Sequence, residues 1–340
     1  MPCILRIHFN VHFMQRLLLL TIIALAMGVS DTAHAESELS RRVAIWEAAA
    51  FKCGVGDQSF PSKPRDTSEQ PCDDGDMTLF NGLLCAAGDE RGCRAVAASQ
   101  DPVTGLWHRS PRIRQLGKND QGNADFSPDM ALGVQLYLVR TRDVERAAKW
   151  LKWIDDNTPC SIKNPFTGGC WVRLLPKFCS HPDCVIRPQD YAALSATVSY
   201  LQQKAGLKDL PDGPLRGNLG TFSSYAEVAE YAAAHVNDQG FPQHLVATTI
   251  LLLRGITGDS WYLRDASREM VKKNPGNAFF SYLAEGPTDR VRQEILDRCT
   301  ADPSSLRRPL RQWQWERANE DKAWEQSCLW DCIFITKLVQ

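Results

Sequence analysis

The feature of this sequence that most limits its fold is an alternation between two kinds of predicted helix. Residues 130–139 are apolar around the whole helical circumference, which is typical of a helix buried on every side. Over residues 144–154, apolar side chains recur at helical spacing on one face and charged side chains occupy the other. Together they predict a helical hairpin over residues 126–157, with an inner and an outer member.

The same inner and outer pattern recurs along the chain, and we predict about twelve helices in six pairs. Outer helices are predicted to begin near Glu36, Asp89, Asp143, Ser223, Asp259 and Thr288. Inner helices are predicted to begin near Asp76, Asp129, Asp190, His244, Asn277 and Leu329. The two-residue alternation of half-buried strands does not compete with this pattern, so the sequence predicts an all-α fold.

Residues 1–35 have the pattern of a cleaved secretory signal. Arg16 precedes the apolar run LLLLTIIALAM, and the small residues Ala33 and Ala35 mark a cleavage site. Met14 is an alternative start of translation. A retained anchor is the competing interpretation, although the run is short for a membrane span. We therefore expect a periplasmic or secreted protein whose residues 36–340 form a single domain.

The predicted mature chain is nearly neutral. Removing residues 1–35 takes two arginines and one aspartate away and leaves 37 basic and 39 acidic residues. This balance gives no electrostatic reason to expect nucleic acid as a partner. After cleavage of the signal we also expect no membrane partner.

Eleven cysteines follow residue 35, and disulfides are the usual state of cysteines in an exported protein. Three pairs of near neighbours are the first candidates for disulfides: Cys85 with Cys93, Cys160 with Cys170, and Cys179 with Cys184. An odd number leaves one thiol over. We expect Cys332, which lies in an apolar helix-like run, to be the buried free cysteine.

The predicted arrangement of inner and outer helices resembles the (α/α)6 toroid, which is found in many glycoside hydrolases, several polysaccharide lyases and some cyclases. The phrases GLWHRSP, FSPDMALG and LWDCIF also look like those of uncharacterised exported bacterial and phage proteins. The resemblance implies a toroid-like barrel with disulfide-stapled loops and a polysaccharide or cell-wall glycan as partner. An irregular all-α solenoid is the alternative architecture.

In such a ring, the N-terminal ends of the inner helices share one opening, where the helix dipoles favour anions. The polar residues predicted there are Asp74, Asp76, Asp129, Asp190, His244, Asn277 and Asp331. Asp129 is the leading candidate, because Ser127 can cap its helix and Pro128 suits the first helical position. Asp125 lies near enough in sequence to share a proton with it. We expect Asp129 and Asp76 to form an acid–base pair, whereas the structural alternative is that Asp129 only complements its helix dipole.

The residues expected to bind substrate are Trp107, His108, Arg109, Asp125, Asp190, His244 and Asp331. An indole beside an imidazole and a guanidinium suits sugar stacking and hydroxyl binding, although Trp107 can also simply anchor its loop. Asp73, Asp74 and Asp76 form half of an acid–base pair, a solvated turn, or a weak calcium site without EF-hand spacing. We otherwise expect no metal and no cofactor.

Two classes of function follow from this pattern. The first is an exported glycan-active enzyme, either a hydrolase with paired carboxyl groups or a lyase with His244 or Tyr191 as its base. The second is a non-enzymatic exported module that binds a glycan or a protein. Carboxyl groups more than about 10 Å apart would exceed the range for paired-carboxylate hydrolysis and favour the binding module.

Overall fold

The computed structural model describes residues 36–67, 70–116, 126–181, 184–208, 210–211, 215–216, 219 and 225–340. These residues are mostly helical, as the sequence predicts. No helix among them has both the length and the apolar character needed to cross a membrane. The predicted signal, Asp125 and the predicted helix start at Ser223 lie outside the described residues.

Short antiparallel strand pairs lie in two of the connections between the described helices. The helices are α1 (36–49), α2 (Met77–Ala86), α3 (Glu90–Ala98), α4 (Pro111–Leu116), α5 (Pro128–Thr141), α6 (Val144–Asp156), α7 (Pro188–Ala205), α8 (Ala226–Val236), α9 (Phe241–Thr257), α10 (Trp261–Lys273), α11 (Ala278–Glu285), α12 (Asp289–Arg298) and α13 (Trp330–Val339). The strands are β1 (Lys52–Cys53), β2 (Phe60–Pro61), β3 (Lys63–Thr67), β4 (Gln70–Asp73), β5 (Cys160–Lys163) and β6 (Cys170–Arg173), paired in that order as three hairpins, two before α2 and one before α7.

The helices predicted to be inner are the most buried ones. In α2, every residue from Met77 to Cys85 is buried, and α5 is buried from Met130 to Leu138. Each inner helix contacts the next, in the order α2, α5, α7, α9, α11, α13 and back to α2. Because α5 also contacts α9, the space between these six helices is packed with side chains.

The helices predicted to be outer have one exposed side, and side-chain caps fix several of their starts. Asp89 accepts a hydrogen bond from the Arg91 backbone N–H, and Asp143 from that of Arg146. The predicted start at Asp259 is displaced by one residue, because the Ser260 hydroxyl is the group that accepts the bond from the helix backbone. Helix α1 packs on the end of α12, where the Trp46 indole N–H donates to the carbonyl of Thr300 at 2.7 Å.

Five disulfides link the described cysteines, and the three predicted pairs are among them. The remaining two join Cys53 to Cys72 and Cys299 to Cys332. The expectation that Cys332 is free is therefore wrong. It faces Cys299 at the end of α12, and Cys328, buried just before α13, is the free cysteine.

Candidate functional site

The helices that carry the two predicted catalytic residues, α2 and α5, cross in direct backbone contact. Gly82 in α2 and Gly133 in α5 face each other, and a Cβ on either one would overlap the backbone of the opposite helix. Asp76 immediately precedes α2, and Asp129 lies in the first turn of α5. The crossing therefore brings the two carboxyl groups to the same end of the helices.

Asp76 is held in an unusual environment for a carboxylate. Its backbone is left-handed, with φ of 59°, and its side chain does not cap α2. Burial raises the pKa of Asp76, and the negative charge of Asp129 raises it further. The Arg109 guanidinium, with Nη1 at 3.7 Å from Asp76 Oδ1, acts in the opposite direction. Asp76 and Asp129 are thus electrostatically coupled, although they are far apart in sequence.

Asp129 is half-buried, on one wall of a cleft of about 530 Å³. Ser127 and Pro128 occupy the predicted N-cap and first helical positions, but the Ser127 side chain makes no capping bond. The same cleft is lined by Arg187 and Asp190 at the start of α7. Its polar wall therefore brings together the N-terminal ends of two inner helices.

Asp190 and Arg187 form a fixed ion pair in the cleft. The Arg187 Nε donates to Asp190 Oδ2 at 2.8 Å, and the Arg187 backbone N–H donates to the same oxygen at 2.9 Å. The second interaction closes a capping box at the start of α7. Asp190 therefore has a capping role in addition to its position in the cleft.

Glu230 is a carboxyl group of the cleft that the sequence pattern did not single out. It lies on α8, which follows the predicted outer-helix start at Ser223, but only 8% of Glu230 is exposed. Burial and the charge of Asp190 raise the pKa of Glu230 to about 8. The side chain is therefore protonated at neutral pH. The sequence pattern of α8 does not show that the face of the helix that carries Glu230 is packed against α7 and α9.

Glu316 is a second buried carboxyl group that sequence reasoning missed. It ends the short 3-10 turn Gln314–Glu316, in the connection between α12 and α13, and is 7% exposed. Burial raises the pKa of Glu316 to about 7; the Lys63 charge opposes the shift, while Asp76 and Asp129 add to it. Glu316 therefore belongs to the same electrostatic group as the two predicted catalytic residues.

Three of the predicted substrate-binding residues are fully buried. Trp107 packs edge-on to Tyr137 at 6.0 Å between ring centroids and offers no ring face to a sugar. Neither nitrogen of His244 has a hydrogen-bond partner, and burial lowers the pKa of His244 to about 3. Asp331 accepts hydrogen bonds from the Ser327 hydroxyl and the Gln314 backbone N–H. These side chains anchor the loop and core instead of lining the cleft.

Burial also argues against His244 and Tyr191 as the base of a lyase. His244 is neutral and enclosed by aromatic side chains, including Phe279 at 5.9 Å between ring centroids. Tyr191 is 3% exposed. A base that abstracts a proton from a sugar must be within hydrogen-bond reach of it, so neither residue offers such a base in this conformation.

The aspartates before α2 mostly form hydrogen bonds within the protein. Asp74 is fully buried, with its carboxylate accepting from the Ser110 hydroxyl at 2.6 Å and from Arg112 Nε at 2.9 Å. Asp73 accepts from the Gly75 backbone N–H at 2.8 Å. Within the described part of the chain, no group of three or more His, Cys, Asp or Glu side chains is arranged to hold a metal ion. Calcium binding near Asp73, Asp74 and Asp76 stays a prediction.

In the loop that contains Trp107, Arg109 and His108 remain near the candidate site. Arg109 is close to Asp76, as described above, and His108 is half-buried beside it in sequence. The Thr78 hydroxyl donates to the carbonyl oxygens of both residues, at 2.7 and 2.8 Å, which ties the loop to the first turn of α2. The loop therefore positions Arg109 through its backbone.

Comparison with known proteins finds no family model, no curated protein and no solved structure that matches this chain.

Proposed function

We propose that this protein is an exported glycan-active enzyme that uses carboxyl groups for acid–base catalysis. The observation that supports it best is the position of Asp129. It lies on the wall of a cleft large enough for a sugar residue, and its charge raises the pKa of the neighbouring Asp76. Paired carboxyl groups with unlike proton affinities are what hydrolysis of a glycosidic bond requires.

The two carboxyl groups have different roles in this proposal. Asp76, whose pKa is raised, holds the proton that must pass to the leaving oxygen. Asp129 is the second carboxyl group, which activates water or attacks the sugar directly. Arg109, beside Asp76, orients the donor and binds a substrate hydroxyl or carboxylate.

Glu230 is a second candidate proton donor, for a specific reason. It lines the same cleft as Asp129 and is protonated at neutral pH, since its pKa is raised to about 8. Asp190 and Arg187 then bind sugar hydroxyl groups between the two walls. The variants Asp76→Asn and Glu230→Gln distinguish the two candidate proton donors. Loss of the true donor should remove the alkaline limb of the pH–rate profile.

The closed order of contacts among the six inner helices supports an (α/α)6 toroid as the architecture of this enzyme. In that architecture, the N-terminal ends of the inner helices surround the substrate opening, and the coupling of Asp76 to Asp129 fits this placement. Five disulfides among the described residues support export, because disulfides persist in oxidising compartments.

The test is a screen of the purified chain from Glu36 onward on bacterial and plant polysaccharides. Release of reducing ends reports hydrolysis, and ultraviolet absorbance of unsaturated products reports elimination. We expect turnover of at least one glycan, and a loss of about 100-fold or more in kcat for Asp129→Asn. Asp156→Asn is the matched control, because Asp156 is an exposed partner of Lys152 outside the cleft.

Two results would contradict the enzyme proposal. One is the absence of turnover on every glycan. The other is a turnover that Asp129→Asn, Asp76→Asn and Glu230→Gln all leave unchanged. Tight binding of a glycan without turnover would instead support the non-enzymatic module.

A further inference from the structure

The hairpin formed by β5 and β6 carries a dense group of exposed apolar side chains. Within residues 160–175, the exposed large apolar residues are Ile162, Phe166, Trp171, Val172, Leu174 and Leu175. These are six of the fourteen exposed large hydrophobic residues in the described part of the chain. Scattered apolar side chains are normal on protein surfaces, but a contiguous group of this kind marks an interaction site.

The apolar side chains lie on both faces of the hairpin and at its tip. Ile162 and Val172 are opposite each other in the strand pair and share one face. Trp171 precedes Val172, so its side chain points to the other face. Phe166, which is 91% exposed, lies in the connecting turn. A strand pair that docks on a protein is expected to be apolar on one face only. This hairpin has exposed apolar side chains on both faces and at its tip, with Lys163 and Arg173 among them.

The hairpin is held outward by its own covalent and polar contacts. A disulfide joins Cys160 to Cys170 across the strands. The Asn164 side chain accepts hydrogen bonds from the backbone N–H groups of Phe166 and Thr167, at 2.8 and 3.2 Å, which fixes the turn. At the base, Arg173 Nη1 donates to the carbonyl of Asp155 at the end of α6, at 2.7 Å. These contacts therefore fix the hairpin in the conformation in which its tip is exposed.

The charged side chains of the hairpin itself are positive, and the cation at its base, Arg173, lies 3.7 Å from the Asp155 carboxylate of α6. Residues 157–181 contain Lys163, Arg173 and Lys177 and no aspartate or glutamate. Aromatic side chains at a tip with cations behind it are the combination that enters the interface of a bilayer and is attracted by anionic headgroups. A polar glycan or a second copy of this nearly neutral chain would not account for the positive charge.

We propose that the β5–β6 hairpin inserts its tip into the interfacial region of a bilayer that contains anionic lipids. Phe166 and Trp171 enter the boundary between headgroups and acyl chains, and Lys163 pairs with lipid phosphate. This peripheral contact replaces the expectation that the processed protein has no membrane partner. It goes beyond the proposed catalysis and does not depend on it, since the hairpin does not line the cleft.

The test measures co-sedimentation of the purified chain from Glu36 onward with vesicles of phosphatidylglycerol and phosphatidylcholine, and with phosphatidylcholine alone. We expect binding to the anionic vesicles that weakens as salt is added. The double variant F166S/W171S should reduce the partition coefficient by about tenfold or more, because two apolar anchors are lost. The matched control V55S/V103S changes two side chains that are 86% and 89% exposed elsewhere and should bind like the wild type.

The variants change exposed side chains, so their thermal unfolding midpoints should match that of the wild type, which confirms that loss of binding is not loss of folding. Equal binding of wild type and F166S/W171S would overturn the proposal, and so would binding to neither vesicle. A dimer in solution that F166S/W171S dissociates, with no vesicle binding, would overturn it in favour of a second copy as the occupant. If the protein binds phosphatidylcholine vesicles as well as it binds the anionic vesicles, the requirement for anionic lipid is overturned.

Discussion

Gly82 and Gly133 face each other at the crossing of α2 and α5, with no room for a side chain on either residue. This contact sets the distance between the two helices whose N-terminal ends carry the candidate catalytic carboxyl groups. The coupling between Asp76 and Asp129 therefore depends on two glycines within the helices. Glycine lowers the stability of a helix interior, so its presence at both positions has a packing reason here.

Replacement of Gly133 by alanine should destabilise the fold by about 1–3 kcal/mol, because the added methyl group overlaps the backbone of α2. Gly255→Ala is the control. Gly255 lies inside α9 with Val139 Cγ1 at 3.4 Å from a Cβ placed there, so alanine should stabilise the helix by up to about 1 kcal/mol. Denaturant unfolding of both variants measures the difference, and equal effects would contradict the close crossing.

Glu230 should make the stability of the protein decrease as pH rises. Its pKa is about 8 in the folded state, against 4.5 for an ordinary glutamate, so between these pH values only the folded state keeps the proton. The free energy of unfolding should therefore fall in this window, at a slope of up to about 1.4 kcal/mol per pH unit. Below pH 4.5 both states hold the proton and the contribution is constant. Glu230→Gln should flatten the profile; an unchanged slope would show that Glu230 is not buried.

The architecture was accessible from the sequence to a large extent. A helix buried on all sides is apolar around its circumference, whereas an outer helix is apolar on one face only. From this difference we predicted that α2 and α5 are interior and that α6 is at the surface. Caps such as Asp143 also gave helix starts within a residue or two. The three short strand hairpins were missed, because each lies in a connection with irregular composition.

The candidate site was only partly accessible. Asp76 and Asp129 could be proposed because helix starts are visible in sequence, and the contact between α2 and α5 and the effect of Asp129 on the pKa of Asp76 are consistent with that proposal. Glu230 and Glu316 were not found, because burial of a charged residue depends on tertiary packing and leaves no local pattern. Trp107 was misread for the same reason, since an indole on a polar loop gives no sign that Tyr137 covers it.

The disulfide between Cys299 and Cys332 should contribute substantially to stability. It closes a loop of 33 residues between α12 and α13, and removing it should cost about 3–4 kcal/mol. Denaturant unfolding of Cys299→Ala/Cys332→Ala measures the loss. Cys328→Ala is the control, and it should leave all five disulfides intact in a mass-spectrometric peptide map. Titration of the denatured, unreduced protein should find one free thiol, and loss of that thiol in Cys332→Ala would contradict the pairing.

We expect Trp107 to stabilise the fold and not to contact a ligand. Its indole is completely buried beside Tyr137, so Trp107→Ala should cost about 3–5 kcal/mol of unfolding free energy. Trp261→Ala is the matched control, since 56% of Trp261 is exposed and its loss should cost little. Thermal and denaturant unfolding compare the two. Similar midpoints for both variants would restore Trp107 as a surface residue available to a sugar.

The coupling of two carboxyl groups from separate helices is the central claim, and it is tested by following the titration of the Asp76 carboxyl carbon by nuclear magnetic resonance. In the wild type, its pKa should lie above that of an ordinary aspartate, because of burial and the charge of Asp129. Asp129→Asn removes that charge and should lower the pKa of Asp76, whereas Asp156→Asn should leave it unchanged. A pKa of Asp76 that is the same in the wild type and in Asp129→Asn would contradict the shared site and the acid–base mechanism built on it.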